Sequence, residues 1–373
     1  MFEKKLYKKF LSFAKKDFFI CAKKFSTSLK NLKISDEILN QFFENYEKPS
    51  FLSFLKRVKD IIYSKKNSEF ILKNFTEDWD FWRYLKFLQK EKVIRVKKNG
   101  KIEVRNKNFL KNIPEPQTEK EIKRKIEKKL KVKIKPKDLV INLFKKEFKF
   151  FPEIKFDQMP ISQGSALFLV KKILEYLPLK RKFLFVGDDD FISIILTLVD
   201  SEIECTVCDL DERILKNINY LAKKYHLKIE TKKVDISKVK KLKGNFVGFL
   251  TNPVYTEEGV RKFVKFGKEN LGKEGGFGFL EVGDESIGNR FLFLQKFFSK
   301  ENLIILERIN GKIFYPQIEL YEEDKEIKKR LSEFFTRETI EKLPKIGASL
   351  FIFEFLPQTP KRVKFKKNFY AYL

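Results

Sequence analysis

The chain has 373 residues, 43% of them hydrophobic, and a formal net charge of +29 carried mainly by lysine, with 42 Phe and a single His. Length and apolar content allow two domains with their own cores, and the basic balance points to a polyanionic partner or a cationic-surface role. No apolar run nears the roughly 20 residues that cross a bilayer, the charged N-terminus lacks a signal-peptide core, and three cysteines cannot make a disulfide framework, so a soluble, cytoplasmic protein without a membrane partner is expected.

From Phe2 to about Lys66, apolar residues recur at three- and four-residue spacing, with Ser35-Asp36 and Pro49-Ser50 as helix starts. Asp78 to Lys90 reads as an aromatic helix carrying Trp79, Trp82 and Tyr84. It leads into VIRVKKNGKIEVR (93–105), whose alternation around Asn99-Gly100 is a hairpin signal. Helices followed by a basic ribbon predict a winged helix-turn-helix domain over 1–113. Its Arg95, Lys97, Lys98 and Lys101 could meet phosphates, so nucleic acid is a candidate partner through this domain though not a required one. Residues 114–150 read as a charged linker region with an embedded helix between prolines.

Residues 151–373 form the second domain, and from Leu179 onward the pattern changes to short apolar runs alternating with helical segments. KFLFVG (182–187), IECTVCDLD, LKIETKKVD, FVGFLTNP and GGFGFLEV are five strands in that order, most of them followed by a helix. This alternation predicts an α/β fold, a Rossmann-like parallel sheet of the S-adenosylmethionine-methyltransferase type with right-handed crossovers. The last apolar run, ASLFIFEFL, is expected as an antiparallel edge strand.

Ligands of such sheets sit beyond the carboxyl ends of the strands, and here those ends are acidic. Between Gly187 and Glu212 there are nine acids and no Lys or Arg, with Asp188, Asp189 and Asp190 consecutive. A lone acid at a helix start is explained by capping, but three in a row repel one another, which points to a cationic ligand. Gly187 remains from a glycine-rich nucleotide fingerprint, while Asp189 stands where the second glycine would let a pyrophosphate approach, so NAD and FAD are disfavoured. Asp209 or Asp211 is placed for a ribose diol and Asp235 for an adenine amine. Asp189, with Asp188 and Asp190, is assigned to hold amines and accept a proton from an attacking nitrogen. Cys205 and Cys208 have metal-ligand spacing but lie within one strand on opposite faces; they and His226 are read as structural, and no metal site is expected.

The motifs VGDDDFIS (186–193), CDLDER (208–213), TNPVYTEEG (251–259) and FDQMPIS (156–162) resemble the branched-chain polyamine synthases of thermophiles, or N(4)-bis(aminopropyl)spermidine synthases. Abundant Lys and Glu with scarce Gln, Met and Cys are compatible with a thermophilic source. The resemblance implies an aminopropyltransferase, with decarboxylated S-adenosylmethionine as co-substrate, spermidine or a related polyamine as acceptor, branched products and a homodimer. It places Asp157, Gln158, Asn252, Pro253 and Tyr255 at the acceptor. One departure is Asn252, where the family usually has Asp. The sequence Asn252-Pro253-Val254-Tyr255 also resembles the loop with which amino-methyltransferases hold a base amine, so an S-adenosylmethionine-dependent methyltransferase of nucleic acid is the alternative. A winged-helix regulator that senses polyamines or a nucleoside is a third reading.

Overall fold

The computed structural model describes residues 2–28, 35–63, 78–97, 101–106, 111–239, 241–242, 244–316 and 322–361. Two compact units result, Met1–Ile113 with Pro357–Leu373, and Pro114–Leu356.

The first unit contains helices α1 (Phe2–Ser28), α2 (Asp36–Phe42), α3 (Phe51–Tyr63) and α4 (Asp78–Lys90), then an antiparallel ribbon of β1 (Ile94–Val96) and β2 (Ile102–Val104). Both expected helix starts are capped: the Ser35 hydroxyl accepts from the Ile38 amide, and that of Ser50 from Ser53. Phe10, Phe54, Tyr84 and Phe87 stack as one aromatic core, with centroids 4.5 Å apart for Phe10 and Tyr84. The ribbon pairs as expected, while Lys98 and the Asn99-Gly100 turn lie outside the described residues. Four helices and a ribbon do not by themselves define a helix-turn-helix.

The second unit is a seven-stranded sheet in the order β5-β4-β3-β6-β7-β9-β8. Its strands are β3 (Phe183–Val186), β4 (Cys205–Asp209), β5 (Ile229–Lys233), β6 (Gly248–Thr251), β7 (Gly276–Val282), β8 (Leu303–Tyr315) and β9 (Ile346–Phe355). The five strands read from the apolar runs are all present and mutually parallel. FLFV in β3 and GFGFLEV in β7 are buried at every position, as strands covered on both faces must be. The covering helices are α5 (Glu119–Leu130), α6 (Gln163–Tyr176), α7 (Ile192–Val199), α8 (Glu212–Tyr225), α9 (Glu257–Glu269), α10 (Asp284–Ile287) and α11 (Phe291–Lys300).

Two features differ from the sequence expectation. The apolar tail strand β9 is not the edge: it inserts antiparallel between β7 and β8, and β8 takes the edge. The run LIILERINGKIFY hides β8 because Asn310-Gly311 reads as a turn. In the fold that pair is absorbed at a register shift between Ile309 and Ile313, with Gly311 at φ +66°. The segment expected as a charged linker is packed structure. α5 buries Ile122, Ile126 and Leu130 at i, i+4, i+8 against α6 and α7, and Lys125 and Lys129 donate to the Val199 and Leu198 carbonyls at the C-terminus of α7.

Candidate active site

A cavity of about 650 Å³ opens at the carboxyl ends of β3, β4, β5 and β6. Its geometry starts at the end of β3. Gly187, at φ +79°, turns the chain, and its amide donates to the Cys208 carbonyl at 2.8 Å. The three following aspartates then diverge. Asp188 is buried, and its carboxylate accepts from the amides of Ile192 at 2.8 Å and Ser193 at 3.2 Å, capping α7. Asp190 is buried and accepts from the Ile161 amide at 2.7 Å. Only Asp189 lines the cavity. Of the three expected to act together on the ligand, Asp188 and Asp190 are held by backbone donors, and Asp189 faces the cavity.

Burial pushes all three carboxyls well above the ordinary carboxylate range. Asp190 and Asp209 add repulsion at Asp189, and Glu281 adds it at Asp190. A carboxyl raised in this way holds a proton more tightly than an ordinary carboxylate, which suits Asp189 at the rim of the cavity to proton transfer.

After β4, Asp209 lines the cavity. It accepts from the amides of Asp211 at 2.8 Å and Asp188 at 3.3 Å, and burial raises its carboxyl. Asp211 does not line it. Its oxygens accept from the Arg213 amide at 2.9 Å, the Arg213 guanidinium at 2.6 Å and the Gln158 amide nitrogen at 2.9 Å. Burial alone would raise this carboxyl, but the Arg213 and Gln158 donors outweigh it and hold it low. Asp211 is the N-cap of α8, outside the cavity lining. Asp235, after β5, does line the cavity. It accepts from the Ser237 amide at 3.0 Å and hydroxyl at 2.5 Å, which with Lys238 keep its carboxyl below the usual range. The apolar lining from this side is Leu210, Ile214, Val234 and Ile236.

The segment before α6 supplies Asp157, at φ +54°, and the buried Gln158, whose oxygen accepts from the Glu153 amide at 3.0 Å. After β6, Asn252, Pro253 and Tyr255 complete the wall. The Asn252 amide nitrogen donates to the Tyr315 hydroxyl at 3.0 Å, and the hydroxyls of Tyr255 and Tyr315 lie 2.9 Å apart. Burial raises both phenols, so they stay protonated donors.

Two residues outside the sequence reading's site belong here. Tyr315 ends β8, the strand hidden by Asn310-Gly311, and nothing in its neighbourhood marks it. Glu281, near the end of β7, is 1% exposed, and its Oε2 has no partner among the described residues. Burial and the charges of Asp189 and Asp188 push it up. Its signal was its place at a strand end. His226 is the αL C-cap of α8, and Cys205 and Cys208 are buried thiols raised by burial. No group of three His, Cys, Asp or Glu able to hold a metal occurs among the described residues.

The model of the branched-chain polyamine synthase A C-terminal domain matches residues 141–347, more than half of the chain. An uncharacterized protein of Methanocaldococcus jannaschii is 36% identical over 142 residues, which are 38% of this chain; the match spans about a third (36%) of that relative's length. Among solved structures, the C9 mutein of the Thermus thermophilus branched-chain polyamine synthase, in complex with N4-aminopropylspermidine and 5′-methylthioadenosine, is 18% identical with a TM-score of 0.48. That alignment covers 85% of this chain and 90% of the other. The unmutated T. thermophilus enzyme with the same two molecules gives 18% and 0.46, covering 86% and 92%. A Thermotoga maritima SAM-dependent O-methyltransferase gives 11% and 0.38, covering 61% and 73%. By the extent of the family-model match, the chain belongs to the branched-chain polyamine synthase family, a family of transferases.

Proposed function

We propose that the protein transfers aminopropyl groups from decarboxylated S-adenosylmethionine to the secondary amine of spermidine or a related polyamine. The observation that carries this reading is Asp189, set in a cavity whose lining also includes Asp157, Asp209 and Asp235. Four carboxylates suit two polycations: a donor with a sulfonium and an ammonium, and a polyamine acceptor.

The chemistry follows from those groups. Asp189 takes a proton from the acceptor's secondary ammonium, freeing the lone pair; its raised carboxyl makes it a stronger base than an ordinary aspartate. The nitrogen attacks the propyl carbon next to sulfur. A C–N bond forms, the C–S bond breaks, and its electron pair stays on sulfur as a neutral thioether. The donor loses a positive charge in this step, so the acidic lining holds the leaving thioether less tightly. Asp209 is assigned to the ribose diol and Asp235 to the adenine amine of the donor, between Leu210, Ile214 and Ile236. Asp157, Gln158, Asn252, Pro253 and Tyr255 are assigned to the acceptor, with Tyr315 fixing the Asn252 amide. A second transfer, to a tertiary amine, has no N–H proton to remove and relies on positioning and charge.

The test is incubation with donor and spermidine followed by mass spectrometry. Products heavier by one or two aminopropyl units are expected, and Asp189→Asn should lower turnover by about 10²–10⁴-fold. Methyl transfer to DNA or RNA from S-adenosylmethionine, with no aminopropyl product, would overturn the reading. Near-normal turnover by Asp189→Asn would remove Asp189 from the chemistry.

A further inference from the structure

Helix α5 has a face that neither the fold nor the cavity explains. Its buried stripe is Ile122, Ile126 and Leu130. At 3.6 residues per turn, Lys120, Arg124 and Lys128 fall within an arc of about 80°, roughly opposite that stripe. All three are exposed, and none has a hydrogen bond or ion pair among the described residues. The acids of α5 are engaged elsewhere: Glu119 with Lys171, Glu121 with the Thr118 cap, and Glu127 with the Ile134 amide and Lys123.

Like charges at i, i+4 destabilise a helix, and two other exposed helices of this protein set acids against cations at that spacing. α9 pairs Glu257 with Arg261 and Glu258 with Lys262, and the helix Arg337–Lys342 pairs Arg337 with Glu341 and Glu338 with Lys342. On α5 no acid stands four residues from Lys120, Arg124 or Lys128, so the three cations of this face are left to an outside partner. The basic row continues beyond the helix. Exposed Lys131, Lys133, Lys135 and Lys137 follow in the chain, with half-buried Val132, buried Ile134 and exposed Pro136 between them. Along the helix the row is even, about 6 Å between i, i+4 residues.

We propose that this ridge, Lys120-Arg124-Lys128 continued by Lys131, Lys133, Lys135 and Lys137, is a sequence-independent binding surface for the phosphate backbone of nucleic acid. A regular row of cations fits a polymer with one negative charge per repeat. A membrane surface fits less well, because interfacial helices insert an apolar face, and that of α5 is buried against α6 and α7. The ridge is also held rigidly. A capping box starts α5, and Lys125 and Lys129 fasten it to the C-terminal carbonyls of α7. The cavity turn lies at the other end of α7, so a polyanion on the ridge stands clear of the acidic site. The proposal does not depend on the reaction assigned to that site.

The experiment is fluorescence anisotropy of the full chain with a labelled DNA duplex of about 30 base pairs and with single-stranded RNA, between about 50 and 200 mM KCl. Lys120→Gln/Arg124→Gln/Lys128→Gln is compared with Arg95→Gln/Lys97→Gln/Lys101→Gln, which removes the same charge from the ribbon of the other unit. The ridge triple should lower the slope of log K against log salt by about 2 to 3 on the duplex and about 2 on the single strand. The ribbon triple should change it by less than one. Arg124→Gln alone should lower the duplex slope by about 1. Aminopropyl transfer by the ridge variants should match the parent. An unchanged slope in the ridge triple, an equal loss in both triples, or ridge-dependent binding to anionic phospholipid vesicles without nucleic-acid binding would each overturn the proposal.

Discussion

Three neighbouring aspartates of identical chemistry meet three different fates. Asp188 caps a helix, Asp190 holds the Ile161 amide, and Asp189 faces the cavity. Their substitutions should separate accordingly. Asp188→Ala removes two backbone hydrogen bonds at the start of α7 and should cost about 0.5–2 kcal/mol of stability, read from the denaturation midpoint. Asp189→Asn removes a charge repelled by Asp190 and Asp209, so it should leave the midpoint unchanged or raised while turnover collapses. Equal destabilisation by both would mean that Asp189 is structural too.

At the level of elements, α5 and β8 matter most to the site's surroundings. α5 is joined to the sheet domain by a stripe of apolar residues within a lysine-rich stretch. Ile126 is fully buried, so Ile126→Ala should cost about 2–5 kcal/mol. A true linker would show almost no effect in the same denaturation experiment. β8 brings Tyr315 to Asn252, 63 residues away in the chain. The antiparallel pair β8 and β9 therefore does more than extend the sheet: its β8 end supplies the phenol that fixes the wall after β6.

Across the whole molecule, a basic chain keeps a buried acidic centre made of Asp188, Asp189, Asp190 and Glu281, all pushed above their ordinary range. A carboxyl with a raised folded-state value keeps a proton that the unfolded chain has released. Stability is then greatest below the unfolded value and falls as pH rises from the ordinary carboxylate range toward the raised one. Melting temperature should accordingly decline from about pH 5 to pH 8. Glu281→Gln, neutral throughout, should flatten that decline. Spermidine should raise the melting temperature more at pH 8 than at pH 5, because the ionised centre binds a cation better. A melting temperature that climbs over this interval in the parent and is unaltered in Glu281→Gln would contradict the assignment.

The parallel sheet was legible because each central strand is an apolar run buried on both faces, and a run such as FLFV carries that requirement in its composition. The acidic mouth was legible for a similar reason, since strand ends are where such sheets place their polar loops. Which acid faces the ligand was not legible. Gly187 turns the chain with a positive φ, and the resulting direction of each aspartate depends on where the amides of Ile161, Ile192 and Ser193 lie in space. The edge strand stayed hidden because an Asn-Gly pair makes the same local signal in a turn and in a bulge. Composition and periodicity thus determined the α/β sheet and its acidic rim. Tertiary structure decided the partners of each carboxylate, the docking of α5 and the arrival of Tyr315, because those depend on contacts between residues far apart in the chain.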